Sequence, residues 1–184
     1  IEVEVVTMTQ RGPAMALALK TTPTSIPAET PYLAASEASL AKWRPKLDAH
    51  GTRRIAIVWS GRATHVNDRN RSLALAALEP LFATPEVSFV SIQRELRPAD
   101  AERLQADPRI LHVGGELDDF SDTAAVLALA DLTICVDTAV AHLAGALGRP
   151  VWALIPFQPD WRWGLSGGRT PWYPGMELWR QAEP

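Results

Sequence analysis

Residues 131–156 read DLTICVDTAVAHLAGALGRPVWALIP, and their reading decides the fold. Leu132, Ile134 and Val136 belong to a short apolar run with β-branched residues, as in a buried strand. Asp137 and Thr138 interrupt that run and can cap a helix. Residues 139–147 are rich in Ala and Leu and read as that helix. Gly148 stands where it should end, and Pro150 cannot continue it. Residues 151–155 are a second apolar run. Strand, helix and strand make a βαβ unit with parallel strands and a right-handed crossover. The turn between strand and helix offers unbonded N–H groups and the positive end of the helix dipole, an arrangement suited to phosphate.

The same alternation extends toward the amino terminus. Residues 55–59 read as a buried strand ending at Ser60-Gly61, and 87–92 as a second strand ending at Gln93. Residues 110–113 form a third, broken by Gly114 and Gly115. Helices are expected at 36–47, at 98–105 with Pro near its first turn, and at 119–130. A further helix is expected from a Ser72 cap to about Phe82. The fold class is therefore α/β: a Rossmann-like doubly wound parallel sheet of five or so strands with helices on both faces. Such sheets bind ligands at the carboxyl ends of their strands, where the strand order switches. In the order 3-2-1-4-5 that point lies between the strands ending at Ser60-Gly61 and at Asp137-Thr138.

At the start, residues 1–8 alternate like a half-exposed strand and 14–20 like a short helical piece. Pro23, Pro27 and Pro31 then impose an extended linker. Residues 1–34 are expected to be the remnant of a preceding domain plus this linker, and 35–184 the ligand-binding domain. A chain starting at Ile1, without Met, is expected to be a fragment or a trimmed product. After Pro156 the chain turns loop-like and holds four of the seven tryptophans, with 176–180 as a last strand or short helix.

Composition narrows the partners. The net charge of −3 gives no overall preference for nucleic acid or an acidic membrane surface, so any anion site must be local. The one cysteine, Cys135, lies in an apolar strand, which excludes an internal disulfide and a thiolate metal cluster. No apolar run reaches the ~18 residues of a membrane span. No basic-then-apolar start resembles a signal peptide, and a reducing, cytoplasmic setting is expected.

Four constellations can carry chemistry. Asp137, Thr138 and His142 flank a helix start, with His142 one turn on. They can hold a diphosphate, or serve as an ordinary cap with a packed histidine. Ser60, Gly61, His65, Asn67, Arg69, Arg71 and Ser72 come after the first strand. A Ser-Gly opening admits a ligand to the backbone, and the arginines match phosphate oxygens. The alternative is a solvated loop whose arginines pair with Asp68 or Asp100. Gln93 and Glu95 end the second strand, where they can face a base or ribose, or be simply a polar strand end. Trp161, Trp163, Trp172 and Tyr173 can stack on a sugar or close a core. Neither G-x-G-x-x-G nor a Walker A sequence occurs.

The motifs WSGRATHVNDRNRS, FVSIQRE, the run from DFSDTAAV through DWRWG, and PWYP resemble, in order, the bacterial family 9 (heptosyltransferase-like) glycosyltransferases, most closely the group fused behind TPR repeats. The likeness covers most of residues 26–181. It implies a GT-B fold of two Rossmann-like domains, of which this chain is the C-terminal, donor-binding half, with TPR repeats in the same parent chain. It further implies that Ser60, Gly61, Arg69, Arg71, Asp137, Thr138, Ala139 and His142 contact the diphosphate of a nucleotide-sugar donor and that Gln93 lies near the nucleoside. Transfer would go to a glycan, lipid or protein acceptor without metal or cofactor, the catalytic base lying in the preceding domain. Two departures point away from ADP-heptose as donor: Ala139 replaces a family glycine, and arginines replace a lysine in the phosphate loop. A non-catalytic scaffold and a GT-B sugar-nucleotide epimerase are the alternatives.

Overall fold

The computed structural model describes residues 18–22 and 24–183. The strand expected at 1–8 and most of the helical piece expected at 14–20 lie outside the described residues. The linker turns at Thr22–Ser25 and then runs without helix or strand to Ala35. Its Tyr32 and Leu33 N–H groups both donate to the Ala146 carbonyl, at 3.0 and 3.2 Å.

Helix α1 (Glu37–His50) starts at Ser36, whose side chain accepts from Ser39 N. There follow β1 (Arg54–Val58), a one-turn α2 (Asp68–Arg71), a 3-10 turn (Leu75–Leu78), α3 (Glu79–Phe82) and β2 (Ser88–Ser91). Next come α4 (Pro98–Ala106), β3 (Ile110–His112), α5 (Phe120–Leu129), β4 (Leu132–Val136), α6 (Ala139–Ala146), β5 (Val151–Ile155) and β6 (Met176–Arg180). The segment at 176–180 is thus a strand. The single helix expected from Ser72 to Phe82 is instead two pieces preceded by a loop. Leu73 N donates to the Trp59 carbonyl and Leu75 N to Asp100 Oδ1, which draws the backbone out of a helical path. Ser72 comes after α2 and does not start a helix.

The sheet has six parallel strands in the order β3-β2-β1-β4-β5-β6. Alternate side chains of each strand enter opposite faces. Ala56, Val58, Cys135 and Ala153 join one apolar cluster, with Trp43 and Leu47 of α1, the inner faces of α5 and α6, and Trp163 and Tyr173 of the tail. Ile57, Trp59, Phe89 and Ile134 join the other, with Leu75, Leu78, Phe82 and Leu104. Because both faces are covered, the central strands read as apolar runs and not as alternating ones. The connections after β1 and β2 pack on one face and those after β3, β4 and β5 on the other. The change of side falls between β1 and β4, so the two connections diverge there and leave a crevice above the strand ends.

Candidate functional site

That crevice is a cleft of about 850 Å³ lined from four strand ends: Ser60, Gly61, His65 and Arg71 after β1, Gln93–Glu95 after β2, Leu117–Phe120 after β3, and Thr138–Val140 after β4. The first wall is built around two buried aspartates. Asp100 accepts from Trp59 Nε1 at 2.9 Å and from Leu75 N at 2.9 Å, fixing the exit of β1. Asp68 accepts from Ser72 Oγ at 2.6 Å and from Arg97 Nη2 at 2.8 Å, and lies 3.9 Å from Arg71 Nε. Ser72 Oγ in turn accepts from Gly61 N at 2.9 Å. The loop is thereby tied back to its own start. Asn67 N donates to His65 Nδ1, and Asn70 Nδ2 to Asn67 Oδ1, which finishes its turns.

Arg71 crosses from this wall to the next. Its Nη1 donates to the Asp137 carbonyl at 2.8 Å, and its side chain is only 13% exposed. The guanidinium lies directly over Gly61: a Cβ there would sit 2.3 Å from Nη2 and 2.6 Å from Cζ. Glycine is needed for this close approach. Beyond Asp137, Thr138 takes the N-cap position of α6, yet its side chain makes no cap bond. Thr138 Oγ1 is buried and without a hydrogen-bond partner, as is Arg71 Nε. The first amides of a helix also have no acceptor within it. Arg71, Thr138 and a positive helix end therefore line one cleft at the switch point, an arrangement suited to an anion such as a diphosphate.

Four expected site residues sit differently from their sequence reading. Arg69 is exposed and does not line the cleft. Successive helical residues turn by about 100°, so Arg69 and Arg71 on one-turn α2 cannot share a face. His142 also lies outside the cleft lining. Its ring stacks on Trp163 at 5.0 Å and 18°, and Nδ1 shares a hydrogen bond of 3.1 Å with Tyr173 Oη. Burial pushes its imidazole below the usual histidine range; Asp137 and Asp160 oppose that, and Arg162 adds to it. Burial raises the Tyr173 phenol and the Cys135 thiol. Asp137 contributes its carbonyl, not its carboxylate, to the bridge with Arg71.

Gln93 lines the cleft, but its amide is spent on the backbone. Oε1 accepts from Trp59 N and Ser60 N, both at 3.1 Å, and Nε2 donates to the Ser60 carbonyl at 3.0 Å and the Glu95 carbonyl at 3.2 Å. It locks the exits of β1 and β2 together. The aromatic tail divides as well: Trp163 and Tyr173 are buried, whereas Trp161 is exposed against Trp172 and Arg162. Sequence reading missed Phe120, a cleft residue 62% exposed at the first position of α5. The signal was an aromatic side chain immediately after the Asp119 cap, where a surface helix would carry a polar residue.

The model of "Glycosyltransferase family 9 (heptosyltransferase)" matches residues 83–168, from the turn before β2 to the loop after β5. Over that segment the chain is similar to the family 9, heptosyltransferase-like glycosyltransferases. Protein FlbA of Caulobacter vibrioides is 27% identical over 166 residues, covering 86% of this chain. The chain spans 27% of FlbA's own length. Among solved structures, E. coli ADP-heptose lps heptosyltransferase II superposes with a TM-score of 0.56 at 19% identity, over 86% of this chain and 48% of its own. The family 9 glycosyl transferase from Veillonella parvula gives 0.55 at 17% identity, over 83% and 44%. At these identities the structural likeness is one of fold, and the chain corresponds to less than half of either structure.

Proposed function

We propose that this chain is the donor-binding domain of a glycosyltransferase that moves a sugar from a nucleotide-diphosphate sugar to an acceptor, without metal. The observation that carries the reading is the bridge from Arg71 to the Asp137 carbonyl beside the unpartnered Thr138 hydroxyl. In such a reaction the glycosidic bond to the β-phosphate breaks and negative charge grows on the departing diphosphate. Fixed donors aimed at that charge strengthen in the transition state and lower the barrier. Arg71, the Thr138 hydroxyl and the α6 amides take that role, with Ser60, Gly61 and Ala139 close to the phosphate oxygens. The family 9 match over residues 83–168 supports the same chemistry.

On this reading residues 1–34 end a preceding domain and its linker, and 35–184 hold the donor. The preceding domain supplies the acceptor site and the catalytic base. TPR repeats in the parent chain and a cytoplasmic setting belong to the proposal; among the described residues no helix is long and apolar enough to cross a membrane. The test is to incubate the full-length protein with UDP-, ADP- and GDP-sugars and measure binding and nucleotide release. Saturable binding of one donor class with slow nucleotide release supports the reading. A folded protein that binds none at millimolar concentration contradicts it. Binding with no release, even with candidate acceptors, would mark a non-catalytic scaffold.

A further inference from the structure

We infer that Phe120 is the platform on which the nucleobase of the bound ligand stacks, an assignment that rests on the donor-binding reading above. A diphosphate at Arg71 and Thr138 leaves the nucleoside to the rest of the cleft, and Gln93, the polar group nearest in the sequence reading, has no free donor or acceptor to offer it. The cleft lining there mixes the charged side chains Arg94, Glu95, Asp118 and Asp119 with apolar ones. Val58, Ile92 and Leu117 are buried side chains lining the cleft, and Phe120 rises beside them with 62% of its surface open.

Phe120 belongs to neither apolar cluster of the described residues. As the first residue of α5 it stands between the cap and the first turn, whereas the apolar pair that staples a helix start uses the residue before the cap and the fourth helical residue. Its backbone is nevertheless held firmly. Asp119 Oδ1 accepts from Ser121 N at 2.8 Å and Asp122 N at 3.1 Å, and Asp122 Oδ2 accepts from Asp118 N at 3.0 Å. Ser121 Oγ is also 2.9 Å from Ser39 Oγ of α1. A solvent-facing ring in a cleft also lined by Val58, Ile92 and Leu117 fits a flat heteroaromatic ligand, because every base offers a π-face. The diphosphate end discriminates by charge, and this end by stacking.

The experiment is calorimetric titration of the full-length protein, wild type and variants, with UDP, ADP, GDP and inorganic pyrophosphate. Phe120→Ala is expected to weaken the preferred nucleoside diphosphate roughly tenfold or more, with pyrophosphate affinity unchanged. Phe120→Trp is expected to bind the nucleotide at least as well as wild type. Wild-type affinity for the nucleotide above that for pyrophosphate completes the expected pattern. The inference is overturned if Phe120→Ala binds the nucleotide as wild type does while Arg71→Ala does not, or if the protein binds nucleotide and pyrophosphate equally. Equal loss of nucleotide and pyrophosphate in Phe120→Ala also overturns it, since the role would then be structural. If wild type binds none of the four probes, the donor-binding reading itself fails.

Discussion

Arg71, in the loop after β1, donates from Nη1 to the carbonyl of Asp137, 2.8 Å away at the end of β4. The two residues are distant in sequence and adjacent because β1 and β4 are neighbours in the sheet. The bridge stations a cation beside the start of α6, and the bond to a main-chain oxygen does not neutralise its charge.

The space under that guanidinium can be tested with Gly61→Ala. The added Cβ would meet Arg71 Nη2 at 2.3 Å. The obstacle is the end of a flexible side chain, so the guanidinium moves and the fold persists. We expect nucleotide affinity to fall severalfold by calorimetry while stability in urea stays within about 0.5 kcal/mol of wild type. Loss of folding instead would show that the loop backbone, not Arg71, is the constrained part.

Gln93→Ala should behave in the opposite way. It removes four hydrogen bonds and leaves the buried N–H groups of Trp59 and Ser60 without their acceptor. We expect a loss of about 3 kcal/mol in urea denaturation. A variant as stable as wild type would return Gln93 to the pool of ligand contacts.

Much of this was legible in the chain. The apolar runs at β1, β4 and β5 could be little else than buried parallel strands, and the alternation of strands and helices led to the switch point. The site was legible only as far as backbone position decides it: Gly61 and Thr138 lie just past strand ends, and the loop after β1 returns Arg71 to them. Where side-chain direction decides, the sequence was silent. Arg69 and Arg71 look equivalent until α2 turns them apart. Gln93 looks like a ligand contact until its partners are counted. His142 was assigned by its spacing from Thr138, yet Trp163 and Tyr173, brought back by the folded tail, claim its ring. Ser72 was read as a helix start, yet its hydroxyl is taken up by Gly61 N and by Asp68 one turn back.

The His142 contact carries a pH signature. Burial depresses its pKa below the ordinary 6.5, so the unfolded chain binds the proton first as the pH falls. Stability is full above about pH 6.5, declines below it, and levels off beneath the folded-state pKa. His112, also depressed by burial, adds to the slope. We expect His142→Gln to flatten the dependence of the urea midpoint between pH 7 and 5 in part, and to change nucleotide affinity less than Thr138→Ala does. An unchanged slope would place His142 in solvent.

Asp122 tests the clamp between α1 and α5. Burial alone would raise its carboxyl; hydrogen bonds from Lys42 and Trp43 more than offset this and hold it below the ordinary 3.8. Its stabilisation is therefore present above that value and is lost as the pH falls through the lower folded-state pKa. Asp122→Ala leaves the buried Trp43 Nε1 unpaired and should cost about 2 kcal/mol at neutral pH, with a smaller difference from wild type below pH 3. A difference that grows in acid would contradict the assignment.

The most direct test of the shared diphosphate cradle is a double-mutant cycle on Arg71→Ala and Thr138→Ala, read as affinity for the preferred nucleoside diphosphate. The account predicts that each substitution weakens binding at least severalfold and that the double variant loses less than the product of the two. Wild-type affinity in both single variants would contradict it.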